Sequence, residues 1–441
     1  MRAAPPCPIL SVFRSLCLVA AVFSVFLLTA LHGTPNGLRA ETTGASSGAY
    51  PVFKRGINLS RLQNFSRSDP NRPGKYMWPP FQGALSQVSD GELDRLRALG
   101  FDFVRLPVDT GPFLAGTDPE RRLLLDGLKT LTIRLIDKGF TVLVDMHPAS
   151  YNSVWTPKDI LADPHGPAFQ AYTDLLVQVA KRIRDLPSSK VAFELFNEPQ
   201  PVCRRTDAED WTVTQKRLYD EVRKAAPDLP IMLSGPCWSS IDGITRLDPG
   251  QYDDRTLFDA HFYSPHDFTH QSIVWSSPPW RYIAGLSYPW DRGSVENTER
   301  ITRQYLEILR TGPNPPPDDA FDQARKGIRD YYDKKPDLSY IEQRFDRLAD
   351  WAADHGVAPD RIVIGEFSAW RPPNGLEDDG SRKAWIEDVR KTAESHGFGW
   401  ALWDYYEGFG LMTDNQARTI DPDTVEALGL DLNALTAGTG Q

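Results

Sequence analysis

The sequence predicts an α/β chain folded as a (β/α)8 TIM barrel with a long insertion after strand six. Three observations carry that expectation: eight short apolar runs, helical patterns between them, and a polar or aromatic residue ending most runs. Strands buried on both faces read as continuous apolar runs. Strand–helix alternation implies parallel pairing through right-handed crossovers, and eight such units suffice to close a barrel.

In order, the runs are Phe53–Leu59 (FKRGINL), Phe101–Val108 (FDFVRLPV), Thr141–His147 (TVLVDMH) and Val191–Glu198 (VAFELFNE). Ile231–Gly235 (IMLSG), Leu257–Tyr263 (LFDAHFY), Ile362–Glu366 (IVIGE) and Trp400–Tyr405 (WALWDY) follow. Helical patterns lie at Asp90–Leu99, Glu120–Lys138, Pro167–Leu186, Trp211–Ala226 and Ser381–His396. Successive strands start 48, 40, 50, 40, 26, 105 and 38 residues apart, so the sixth connection is the anomaly. Residues 264–361 are read as an insertion on that loop, with Pro313-Asn-Pro-Pro-Pro317 as a stiff turn inside it.

Of 441 residues, 41% are hydrophobic and 24% charged, which excludes disordered, collagen-like and coiled-coil classes. The net charge of −10 leaves little to neutralise phosphates, so no nucleic-acid partner is expected. Residues 1–40 carry Arg2, Arg14 and Arg39 and no acid; without them the charge is −13. The uncharged run Leu16–Leu31, followed by Ala40, reads as an export signal, or as an anchor attached to a membrane through residues 10–31. The expected organisation is therefore leader 1–40 and catalytic domain 41–441, working as a monomer outside the cytoplasm. Cys7 and Cys17 lie in the leader, which leaves Cys203 and Cys237 as a disulfide candidate.

A barrel's active site sits at the carboxyl ends of its strands. Those ends hold Arg105, His147, Asn197, Glu198, His261, Tyr263, Glu366 and Trp403. Glu198 in Phe196-Asn-Glu-Pro199 and Glu366 in Ile364-Gly-Glu-Phe367 would face each other across the opening. Two carboxylates over a groove can cleave a glycosidic bond, one as acid and one as nucleophile or base. Arg105 and Tyr263 are expected to hold Glu366 ionised and lower its pKa, whereas Glu198 needs burial or a negative neighbour to keep a proton. Asn197 is placed to hydrogen-bond the sugar hydroxyl beside the anomeric carbon. Trp155, Trp238, Trp275, Trp280, Trp290 and Trp370 fall on loops after strands three, five, six and seven, where they could stack on sugar rings or merely cover the barrel mouth. Asp145-Met-His147 hints at a metal hydrolase, but no second His-x-His accompanies it.

This ordered set resembles the active site of glycoside hydrolase family 5, the cellulase family, over about Phe53 to Asp414. The resemblance implies a retaining mechanism with Glu198 as acid/base and Glu366 as nucleophile. It places His261 near the acid/base and puts His147 and Trp403 at the subsite of the cleaved sugar. It requires no metal and no cofactor. The expectation is an exported endo-β-1,4-glucanase acting on a polysaccharide or oligosaccharide. Processing of the bacterium's own exopolysaccharide, and action on mannan, xylan or β-1,3-glucan, stay open. So do a non-catalytic sugar-binding barrel and a membrane-anchored partner of a polysaccharide export machine.

Overall fold

The computed structural model describes residues 50–199, 210–373, 376 and 379–435. The expected leader and Cys203 lie outside the described residues.

Eight parallel strands close into a barrel in chain order: β1 (Arg55–Asn58), β2 (Phe103–Val108), β3 (Thr141–Met146), β4 (Val191–Glu194), β5 (Ile231–Ser234), β6 (Thr256–Phe262), β7 (Ile362–Phe367) and β8 (Gly399–Leu402). Each run falls where the sequence predicts it. Two end early. β4 stops at Glu194, because beyond it the chain turns toward the left-handed backbone of Glu198 (φ 43°). β8 stops at Leu402, and Trp403 begins the loop that follows.

The pleat sorts side chains into layers along the barrel axis. Phe103, Leu143, Ala192, Met232, Leu257, Val363 and Ala401 fill the lower layer with apolar side chains, and Phe53 closes its floor. Two residues further along five of these strands come Arg105, Asp145, Glu194, Ser234 and Asp259, all buried. The period of two thus places a polar layer between the apolar floor and the rim.

Outside the barrel, helices form where caps and apolar spacing agree. Ser89 and Glu92 make a reciprocal capping box on helix Asp90–Leu99, and Gly100 ends that helix at φ 113°, where a side chain would be strained. Thr117 and Glu120 do the same for helix Asp118–Asp137. Trp385 of helix Ser381–Ser395 stacks on Phe262 at 6.0 Å, and Trp400 meets Phe367 edge-on at 5.8 Å.

Between β6 and β7 lie helices Val295–Arg310, Ala320–Lys334 and Leu338–Asp354. The third packs on β6 as a barrel helix does, with Trp351 against Phe258 and Phe345 against Phe262. The excess over an ordinary unit is therefore concentrated in residues 264–337. Among the described residues no helix is long and apolar enough to cross a membrane.

Trp385→Ala is expected to destabilise the chain by about 3–5 kcal/mol through lost burial and a residual cavity. Ile308→Ala, on an exposed helix face, should change stability by less than about 0.5 kcal/mol. Denaturant unfolding of both variants checks the pair.

Candidate active site

Arg105 is fully buried near the barrel axis, and each of its donor nitrogens has an acceptor. Nε and Nη2 form a fork on Glu194, both at 2.9 Å. Nη1 donates to Glu366 Oε1 at 2.7 Å and to Asn58 Oδ1 at 3.2 Å. Nη2 also reaches Asn197 Oδ1 at 2.9 Å and lies 3.0 Å from Asp145 Oδ2. A planar guanidinium can serve all these at once; a lysine could not.

That contact orients the next side chains. Arginine only donates, so Asn197 must present its carbonyl oxygen to Arg105 and its amide nitrogen to His147 Nε2, 3.2 Å away. His147 Nε2 then accepts, and its Nδ1–H donates to Asp145 Oδ2 at 2.8 Å. The same imidazole lies nearly parallel to Trp403, with ring centres 5.8 Å apart.

The two rim carboxylates come together. One oxygen of Glu198 and one of Glu366 lie within 4.8 Å of each other, with a His261 nitrogen in the same group. His261 Nδ1 is 2.9 Å from Glu198 Oε1 and 3.6 Å from Glu366 Oε2. Tyr263 donates its hydroxyl to Glu366 Oε2 at 3.0 Å. Glu198 keeps 20% of its side chain exposed, whereas Glu366 keeps 6%.

Burial sets the direction of several proton equilibria. It pushes the Glu366 carboxyl above its ordinary value, and the charges of His261 and Arg105 offset only part of that rise. The sequence-based expectation of a lowered Glu366 pKa is therefore corrected: loss of solvent outweighs the cations. His261 goes the other way from an ordinary buried imidazole. Burial opposes its charge, yet the carboxylates of Glu366 and Asp259 hold its pKa well above the usual value. Tyr263 is raised well above an ordinary phenol by burial and by Glu366, so it remains a donor.

Sequence reasoning missed Asn58, Glu194, Asp259 and Asp404, and read Asp145 only as a metal-hydrolase fragment. Asp145, Glu194 and Asp259 stand two or three residues before the rim groups His147, Asn197 and His261 of their strands, so an i−2 search along each strand would have found most of them. Asp404 lies beside Trp403, accepts from Ser60 Oγ and from the Tyr406 amide, and burial pushes its pKa up to about 7.

The loop tryptophans divide. Trp155 and Trp290 are partly buried against the core, and Trp280 bonds Asp267. Trp238 (50% exposed, φ 58°) and Trp275 (67% exposed) project outward, the latter edge-on to Trp370 at 6.3 Å. Cys237 is disulfide-bonded.

Residues 86–408, which contain all eight candidate residues, match the profile of Cellulase (glycosyl hydrolase family 5). The chain belongs to this family of glycoside hydrolases. Among similar proteins, endoglucanase C of Acetivibrio thermocellus is 24% identical over 80% of this chain and 91% of that protein. Endoglucanase 3 of Fibrobacter succinogenes is 23% identical over 81% of this chain, which spans only 51% of that longer protein. The crystal structure of the clostridial cellulose synthase subunit Z from Clostridioides difficile superposes with a TM-score of 0.59 and 22% identity, covering 85% of this chain and 99% of that one. That likeness is one of fold.

Two outcomes follow from the buried charges. Arg105→Met should destabilise the fold by about 3–5 kcal/mol, because it strands several buried carboxylates without a partner; unfolding midpoints test it. Asp404 has a raised folded pKa, so the folded chain binds its proton more tightly than the unfolded chain does. Its effect is to lower stability as pH rises from the ordinary carboxyl range to about 7. Asp404→Asn should remove that loss, so that its stability relative to wild type improves between acid pH and neutrality. A pH-independent difference would contradict the assignment.

Proposed function

We propose that the chain is an exported endo-β-1,4-glucanase that cleaves β-linked glucan by double displacement, with net retention at the anomeric carbon. The observation that carries the mechanism is the short spacing of Glu198 and Glu366, whose nearest oxygens fall within 4.8 Å. Retaining enzymes keep their carboxyl groups about 5–5.5 Å apart, whereas inverting enzymes leave room for a water between them.

In the first step a Glu366 oxygen attacks the anomeric carbon, and the bond to the leaving sugar's oxygen breaks as Glu198 gives that oxygen a proton. In the second step Glu198 takes a proton from water, whose oxygen attacks the same carbon and releases Glu366. Arg105 on Oε1 and Tyr263 on Oε2 fix the plane of the Glu366 carboxylate. His261 donating to Glu198 Oε1 leaves Oε2 to carry the transferable proton. Asn197 has one amide N–H committed to His147, and its second can donate to the hydroxyl next to the reacting carbon. Such a bond accelerates the reaction to the extent that it strengthens in the transition state. Trp403, backed by His147, offers a flat face to the sugar ring.

The glucan assignment is supported by relatives that are themselves named endoglucanases. Export is supported by the arginine-flanked apolar run Leu16–Leu31. A second reading, action on a polymer made by the same cell, accords with the fold likeness to a protein named as a cellulose synthase subunit. Product profiles against soluble glucans, mannan, xylan and the host polymer separate these readings.

Glu366→Gln should abolish turnover, by a factor of about 10³ or more, while retaining oligosaccharide binding. Glu198→Ala should slow unactivated oligosaccharides far more than aryl glycosides with good leaving groups; equal slowing of both would refute its role as acid. The acid limb of kcat/KM reports Glu366 ionisation in the free enzyme. Because burial raises that group, the limb should lie above the 4.5 of an ordinary glutamate. A limb at or below that value would contradict Glu366 as the buried nucleophile.

A further inference from the structure

The His261 ring meets a carboxylate at each nitrogen. Nδ1 faces Glu198 Oε1 at 2.9 Å, and Nε2 faces Asp259 Oδ2 at 3.0 Å. A carboxylate oxygen without a proton can only accept, so this arrangement is satisfied when both nitrogens carry hydrogen. Asp259 is fully buried, and its other oxygen accepts the Gly365 N–H at 2.8 Å. Gly365 is the residue before the nucleophile, and the β6–β7 and β7–β8 registers both shift around it. Its carbonyl is likewise held by a side chain, Asn58 Nδ2 at 2.9 Å. A Cβ at position 365 would fall 2.2 Å from Asp259 Oδ1, so glycine is what admits the carboxylate there.

We propose that Asp259 is a positioning residue for both catalytic carboxylates: it keeps the His261 ring a cation between Glu198 and Glu366, and it fixes the Glu366 backbone through Gly365. The inference rests on the reading of Glu198 and Glu366 as the catalytic pair. Neither composition nor the rim pattern points to this residue, because it lies below the rim on β6.

The charge logic has a sign. The groups facing the ring are Asp259 on its own strand, Glu194 and Glu198 on β4 and the chain beyond it, and Glu366 on β7. Arg105 from β2 lies 3.9 Å from Asp259, and Tyr263 shares Glu366 Oε2. The His261 cation is the foremost influence opposing the burial of Glu366, so it keeps the nucleophile ionised further into acid. In Asp259→Asn the carboxamide oxygen can still accept from Gly365, but its NH₂ now faces His261 Nε2, which must become an acceptor. The ring loses its charge. Glu366 then binds a proton more readily, and activity fails at a higher pH.

The test is the pH profile of kcat/KM for an aryl cellobioside with wild type and Asp259→Asn. The acid limb should move up by about one pH unit or more, the effect of removing an opposite charge at this distance. The loss should be about tenfold below the limb and smaller above it, and it should appear in kcat rather than in KM. A uniform loss with an unmoved midpoint would reduce Asp259 to a structural part and overturn the proposal. A second measurement does not depend on turnover. In ¹⁵N-histidine-labelled wild-type chain, with His261 assigned by its absence in His261→Gln, both ring nitrogens should stay protonated through pH 7. A neutral ring at pH 6 would overturn the proposal. Absence of wild-type activity on every glycoside would instead count against the catalytic reading; the same ring titration in labelled Asp259→Asn, where the charge should be lost, would still decide the role of Asp259.

Discussion

One buried cation organises this barrel. Arg105 stands above an apolar floor with none of its surface exposed, so every donor it carries needs a partner within the lumen. Those partners are the groups that define the site: Glu194 and Asp145 below the rim, Asn197 and Glu366 at it. Because arginine cannot accept, it dictates the orientation of Asn197, which dictates the tautomer of His147. A chain of forced hydrogen-bond choices therefore runs from the core to the rim of the barrel.

The same burial creates the chemical problem that the second cation addresses. Five carboxylates crowd around Arg105 and His261, and taking them out of water favours their neutral forms. Glu194 is raised well above its ordinary value, chiefly by burial, whereas Asp259 is lowered despite burial because His261 and Arg105 lie beside it. Burial and charge thus act unequally: the deep glutamate holds its proton more tightly than in water, and the aspartate under His261 less tightly. Glu198, more exposed and in left-handed backbone, sits at the outer edge of this field. A non-glycine residue held at positive φ costs free energy that the surrounding structure must supply, a pattern common at functional sites.

The barrel was legible because burial on both faces leaves a sequence-level trace. Each strand is a short apolar run, and six of the eight carry a polar or aromatic candidate residue on or just beyond them. Most of the eight candidate residues were legible for the same reason, since a polar residue finishing an apolar run is conspicuous; Arg105, expected at the end of its strand, instead stands one layer deeper in mid-β2. The middle layer was not. Asp145, Glu194 and Asp259 sit inside the runs, where a single charged residue reads as noise unless the period of two is followed inward from the rim. The sign of the Glu366 shift was misjudged because sequence shows that a cation is near but not how much water is lost. The helix Leu338–Asp354 was folded into the expected insertion, since only its packing on Phe258 and Phe262 identifies it as part of the barrel. The loop tryptophans could not be sorted by sequence, because exposure alone separates Trp275 from Trp155.

The central claim is that Glu198 and Glu366 act at short range on opposite sides of one anomeric carbon. The most direct measurement is the anomeric configuration of the sugar first released from a cello-oligosaccharide, followed by proton NMR before mutarotation. The account predicts that the β-anomer appears first and the α-anomer grows in later. Initial appearance of the α-anomer would mean a single displacement by water, which the spacing of the two carboxylates does not accommodate.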